Sequence, residues 1–246
     1  MYRQLRHAAI LLCLAFPSSL FAQTPLPAPQ AAARDHERHR TDVGAAFRNS
    51  FKLLMIEHAT RVLTQEATRR ELSGPFFTDY KRSLRVPPRW HDADPWPVNY
   101  IGHPIHGAAA GYLWLDADPR APPELSLSGD YWWSRTRATL WTVAYSVQFE
   151  FGPISEASIG NVGMQPATSG WVDHVVTPVG ALALMVAEDA LDRYFVRWVE
   201  GHTTNRVWRA SLRTIFNPAR ALANLASQRM PWDRQDRSIA WRNESR

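Results

Sequence analysis

The sequence predicts an all-α fold, a compact bundle of about five to six helices in one domain, with association to a membrane expected as well. Three observations point there. Apolar residues recur at intervals of three and four through most of the chain, no period-two stretch is bounded by hairpin turns, and glycine is sparse at 12 of 246 residues.

The first helix is expected over residues 43–72. Phe47, Phe51, Leu54, Ile56, Val62 and Leu63 mark its apolar stripe, and Ser73-Gly74-Pro75 stops it. Residues 76–97 read as a long connection with Pro87-Pro88 and Pro95-Trp96-Pro97, a length often tied to function. A second helix opens at His103-Pro104 and ends before Asp116. The third spans residues 131–151 and ends at Gly152-Pro153, and residues 155–163 read as a helical turn and loop. The fourth covers residues 172–200, with Thr177 capping it or Pro178 kinking it. Thr203 or Thr204 caps a fifth reaching Phe216, and Asn217-Pro218 opens the last.

The chain ends bound this domain. Residues 1–22 have the order of a secretory signal: Arg3 and Arg6, an apolar run from Ala8 to Phe16, then small residues up to Ala22. Residues 23–40 read as a flexible linker, 41–230 as the helical domain and 231–246 as a disordered tail. Export to the periplasm or cell envelope is therefore expected. The only cysteine, Cys13, lies within the signal, so the exported part is left without disulfides or thiolate ligands. No small residue precedes Cys13, which speaks against lipidation.

The formal charge is +5, and loss of Arg3 and Arg6 with the signal lowers it to +3. That balance gives no reason to expect nucleic acid as a partner. Arginine far outweighs lysine and there are eleven tryptophans, which suits a membrane–water interface or anionic head groups. No stretch offers 18 uninterrupted apolar residues, so a polytopic membrane protein is not the expectation. In the fifth helix Arg206, Arg209 and Arg213 oppose Trp208, Leu212 and Ile215. That pattern suits a bilayer interface, and it is also the ordinary pattern of a globular surface helix, which is the expected one.

Three polar stripes are the candidates for chemistry. His103 and His106, three apart at a helix start, can face one side, while Gly107 and Gly111 allow close packing. Free N–H groups there would suit an anion, and the two imidazoles could equally ligate a metal if carboxylates joined them. Thr139, Thr142, Ser146 and Glu150 line one face of the third helix, and a buried Glu150 needs a partner, for which a histidine would serve. Asp173, Thr177, Gly180, Leu184 and Glu188 share one arc of the fourth, and Asp189 is expected to pair with Arg193 at i, i+4. His103, Glu150 and Asp173 are thus the candidate catalytic set. His106, Gly107, Ser146, Thr177, Gly180, Glu188, Asn217 and Arg220 are binding or structural candidates, and no residue is assigned to a metal. A nucleophile triad of Ser155 or Ser158 with His103 and Asp173 has no support in spacing. The Gly-x-Ser-x-Gly, His-Glu-x-x-His and phosphate-loop motifs are missing from the sequence.

Asn99 to Gly107 resembles the hallmark of a family of uncharacterised exported bacterial proteins. The pattern is an aromatic and a small residue, His-Pro-x-x-Gly, a Glu ending an aromatic helix, Asp-x-x-x-Thr-Pro-x-Gly and Asn-Pro-x-Arg. Here these are His103-Pro104 with Gly107, Glu150, Asp173 with Thr177-Pro178 and Gly180, and Asn217-Pro218-Ala219-Arg220. The resemblance covers residues 43–229 and implies a domain of unknown function. His106 lies outside its pattern. The leading expectation is an envelope protein on a membrane face whose polar cluster binds a lipid head group or other anion. The alternatives are a hydrolase of an envelope lipid or phosphoester using His103, Glu150 and Asp173, and a scaffold recognising a protein through residues 90–100.

Overall fold

The computed structural model describes residues 40–72, 74–83, 89–92, 94–160 and 170–239, and no strand occurs among them. The expected signal, nearly all of the linker and the last residues of the tail lie outside that range. The fold is all-α, and its helices are broken into more pieces than the five to six expected.

Helix α1 (Val43–Thr64) starts where the Asp42 carboxylate accepts the Ala45 N–H at 2.8 Å, and it stops where Gln65 turns extended. A short α2 (Glu66–Glu71) follows, so the expected single helix is two. The long connection contains α3 (Phe76–Ser83). A π-helical turn (Val98–Gly102) leads into α4 (His103–Ala117), and α5 (Gly129–Phe151) is capped by the Ser128 hydroxyl. A short α6 (Glu156–Gly160) precedes α7 (Val172–Leu191), which runs through a second π-turn (Asp192–Val196) into α8 (Arg197–His202). Asn205, not Thr203 or Thr204, caps α9 (Arg206–Ile215), its Oδ1 accepting the Val207 and Trp208 N–H groups at 3.0 and 3.1 Å. The last is α10 (Pro218–Ala226).

Helices α1, α4, α5 and α7 form an up-down-up-down bundle. The Asp42 N–H donates to Ala117 O at 2.9 Å, which sets the start of α1 beside the end of α4. Arg135 of early α5 meets Asp189 of late α7 at 2.6 Å, and the starts of α4 and α7 meet at the opposite end. α4 is the central helix, packed on α1, α5, α7 and α10. Its small residues permit this: a Cβ on Gly107 would lie 2.7 Å from Thr177 Cγ2 and one on Gly111 2.7 Å from Met185 Sδ. Gly180 presses likewise on Pro104.

The expected apolar stripe of α1 is corrected. Leu54 is buried with Ala46, Ser50, Leu53 and His58, whereas Phe47, Phe51, Ile56 and Leu63 face outward. The helix turns its polar residues inward because they find partners there, such as Ser50 Oγ, which accepts the Trp141 indole N–H at 3.0 Å. In α9, Arg213 is fully buried against Glu200 and the carbonyls of Trp232 and Arg237, while Trp208 and Ile215 are exposed. The expected frayed tail is tied down as far as Arg237. Arg234 is buried, and Arg237 donates to Asp192 at 2.6 and 2.8 Å and to Glu200 at 2.9 Å.

Candidate functional site: a buried carboxylate–histidine centre

The centre sits at the bundle end where α4 and α7 begin and α5 finishes. His103, Glu150 and Asp173 come from these three helices, and one donor atom of each lies within 4.8 Å of the others. They are only 4, 5 and 5% exposed. The periodicity that sets Glu150 at the end of a hydroxyl track, and Asp173 on the arc of Thr177, is what aims them inward.

His103 is held on both ring nitrogens. Nδ1 lies 3.3 Å from Thr177 Oγ1, and Nε2 lies 3.3 Å from Asp173 Oδ1. The second contact is not aligned as a hydrogen bond, so Asp173 Oδ1 has no hydrogen-bond partner among the described residues, and neither has Glu150 Oε1. Thr177 is therefore neither the cap of α7, which begins at Val172, nor a solvent-facing hydroxyl. It orients the imidazole.

A loop folds over this end. Trp171 and Val172 donate their N–H groups to Arg89 and Trp90 carbonyls at 3.1 and 3.0 Å. Gly170 lets the two backbones touch, since a Cβ there would lie 2.5 Å from Trp90 O. This pairing brings Asp92 within hydrogen-bond reach of Asp173. Asp92 in turn accepts Asn99 Nδ2–H at 2.7 Å and the Asp94 N–H at 3.0 Å. Burial pushes the Asp94 carboxyl above the usual range, Arg61 opposing and Asp92 adding to the rise.

Side chains of α1 pack around these residues. Glu57 Oε2 accepts the Tyr145 hydroxyl at 2.6 Å and lies 3.6 Å from His106 Nδ1. The His106 ring meets His103 edge-on at 5.2 Å and Phe149 at 4.5 Å. His58 stacks on Phe149 at 5.2 Å, with Nε2 3.3 Å from Ile154 O. Arg61 is paired with Glu156 and is within electrostatic reach of Asp94, Glu150 and Asp173.

Of the predicted residues, His103, Glu150 and Asp173 converge, with His106 and Thr177 beside them. Thr142 makes a helix seam, its hydroxyl donating to Gly107 O at 2.9 Å, while Ser146 Oγ is buried without a partner among the described residues. Gly107 and Gly180 serve packing. Glu188, Asn217 and Arg220 stand at the far end of the bundle. Glu188 caps α10, and Arg220 pairs with Asp189 at 2.9 Å and stacks on the Tyr112 ring at 4.1 Å. Asn217 makes no side-chain cap, because Glu188 does that work. Asp189 pairs with Arg135 and Arg220 rather than with Arg193, which donates to Leu125 O. Ser155 and Ser158 bond each other, giving no nucleophile triad. The His103 N–H is not free for an anion, since it donates to Val98 O through the π-turn, and Pro104 carries no N–H.

Sequence reasoning missed Glu57, His58, Arg61, Asp92 and Asp94. Glu57-His58-x-x-Arg61 follows the apolar run Leu53–Ile56, but the same helix also carries Arg48, Asn49, Ser50 and Lys52, so these polar residues do not stand out in the sequence. No protein family, no curated protein and no solved structure matches the chain.

Proposed function

We propose that this is an exported helical protein whose function centres on a bound divalent cation, held by His103 Nε2, Glu150 and Asp173 with Asp92 beside them. The observation that carries this is the convergence of three buried donors within 4.8 Å, two of whose oxygens lack hydrogen-bond partners. A buried carboxylate without a partner is too costly to stand as it is, so a proton or a cation must be near it. Asp92 within hydrogen-bond reach of Asp173 adds to the same need, because two carboxylates at that range must share a proton or a cation.

The geometry suits an ion. Donors at about 2.1 Å from a metal lie roughly 3–4 Å apart, so small side-chain rotations close the site. With Nδ1–H donating to Thr177, His103 presents its Nε2 lone pair to the centre, the outer-shell arrangement typical of metal-bound histidine. Nitrogen and oxygen donors without thiolate suit zinc or manganese. An anion or head group at the same place is disfavoured, because Glu57, Asp92, Asp94, Glu150 and Asp173 outnumber Arg61. The burial favours holding an ion over turning over a bulky substrate, and a hydrolytic role for the same residues would require residues 89–102 to move aside.

The test is metal analysis of the purified protein, followed by titration of chelator-treated protein with zinc and with manganese. One equivalent of metal per chain is expected, lost in Glu150→Gln and Asp173→Asn. No bound metal, together with no rise in melting temperature on adding either ion, overturns the reading.

A further inference from the structure

The polarity of the bundle is inverted. On α5, Ser134, Arg135, Thr142, Ser146 and Glu150 face inward, while Trp132, Trp133, Leu140, Val143 and Val147 face out. On α7, Asp173, Thr177, Glu188 and Asp189 are buried, while Val175, Val179 and Leu191 are exposed. On α1, Ser50 and His58 are buried beside Ala46, Leu53 and Leu54, while Val43, Phe47, Phe51, Ile56 and Leu63 point outward, with Arg48 exposed near the start of the helix. The outward residues are far from marginal: Phe47 is 64%, Leu140 63% and Val179 64% exposed. Water-soluble helices keep charge outside and apolar stripes inside.

We infer that the bundle lies across a lipid bilayer, with the outer faces of α1, α5 and α7 against hydrocarbon. The apolar stretches approach the thickness of a bilayer core, and the shortfall of about 6–9 Å is of the kind that local thinning of the bilayer takes up. Phe47 to Leu63 and Val175 to Leu191 each rise about 24 Å, and Trp133 to Val147 about 21 Å, at 1.5 Å per residue. A hydrocarbon core measures about 30 Å. No charged residue lies between Asp173 and Glu188 in sequence. The helical run Val172–His202 is long and apolar enough to cross a membrane, and only 33% of its most apolar window is buried.

Aromatic residues mark both ends. Trp132, Trp133, Tyr194 and Trp198 are exposed where α5 begins and α7 continues into α8, and Trp96, Tyr100 and Trp171 are exposed at the opposite end. Such girdles sit at the two membrane–water interfaces. At the end of the bundle away from the carboxylate–histidine centre the buried charges are paired with one another, Arg135 and Arg220 on Asp189, as hydrocarbon surroundings demand. A second copy of the chain would cover one face. Here three helices packed around α4 all carry the inversion, which selects lipid as the occupant.

The full chain is expressed in bacterial cells, and membranes are floated on a sucrose gradient and then washed with alkaline carbonate. The protein is expected to float and to stay in the washed membranes until detergent is added. In parallel, Val143→Cys and Val179→Cys are placed in a Cys13→Ser chain and treated with a membrane-impermeant maleimide. Labelling is expected to be lost in intact membranes and restored by detergent, while Ser126→Cys in the loop before α5 labels once the membrane side is opened. Release by carbonate overturns the inference, and so does a detergent-free soluble dimer with these cysteines protected. Labelling at Val143→Cys and Val179→Cys in intact floated membranes overturns it equally.

Discussion

Glu188 closes the amino-terminal end of a helix that begins 30 residues later. Its Oε1 accepts the Ala219 N–H at 2.8 Å, and its Oε2 accepts the Arg220 N–H at 3.1 Å. A carboxylate at a helix start satisfies orphan donors and opposes the positive end of the helix dipole. Because the cap comes from α7, docking of α10 and integrity of α7 are one event.

Glu188→Ala leaves two N–H groups without acceptors, a loss of about 1–3 kcal/mol. Melting followed by circular dichroism should fall in temperature, and hydrogen exchange should rise first over residues 218–226. An unchanged exchange rate there would show that Glu188 is not the cap in solution.

Asp189 collects more partners than any single charge pair needs. Arg135 Nη2 lies at 2.6 Å, Arg220 Nη2 at 2.9 Å and the Tyr131 hydroxyl at 2.9 Å. Asp189→Asn strands two guanidinium groups and should cost about 3–5 kcal/mol. Adding Arg135→Met should recover part of this, since it removes one of the stranded charges. A double variant no more stable than the single one would contradict the pairing.

Gly107→Ala and Gly129→Ala should have opposite signs. At Gly107 a Cβ meets Thr177 Cγ2 at 2.7 Å and the Thr177 carbonyl oxygen at 2.9 Å, and backbone cannot yield cheaply. A loss of about 1–3 kcal/mol is expected. At Gly129, in the first turn of α5, a Cβ meets nothing within 4 Å, so the melting temperature should hold or rise, by up to about 1 kcal/mol in stability. The Gly107 variant should also weaken metal binding, since Thr177 orients His103.

Asp118, just past the end of α4, supplies an acid-side dependence. Burial pushes its carboxyl up, but hydrogen bonds from Arg120 and the charge of Arg137 outweigh that and hold it below the usual range. The folded value is thus below the unfolded one, about 3.9. Its stabilisation is complete above the unfolded value and is lost as pH falls through the folded one. Melting temperature against pH should therefore fall less steeply below about pH 4 in Asp118→Asn than in the parent. Parallel curves would remove Asp118 as the source.

Much of the site was legible in the chain. His103, Glu150 and Asp173 could be chosen because each is a polar residue recurring on the face of an apolar or small-residue helix, where burial demands a partner. Helical periodicity likewise located the main helices, and Gly152 and Pro218 marked where helices stop and start. Glu57, Arg61 and Asp92 were not legible, because each joins the centre through a contact distant in sequence. Periodicity says which residues share a face, and it does not say whether that face meets a neighbouring helix or the outside. For α1 this decided everything: its phenylalanines formed the obvious stripe, yet Ser50, His58 and Glu57 are the residues that meet α5 and α4. The ion pairs followed the same rule. Arg193 was the nearest basic residue to Asp189 along the helix, but a buried carboxylate takes the guanidinium groups that the bundle's register delivers, and those belong to Arg135 and Arg220. Local pattern is enough to specify an all-α chain and to single out the three residues of its polar centre. Which way each helix turns, and which charges neutralise one another, is settled only in the folded bundle, because both depend on how the helices cross.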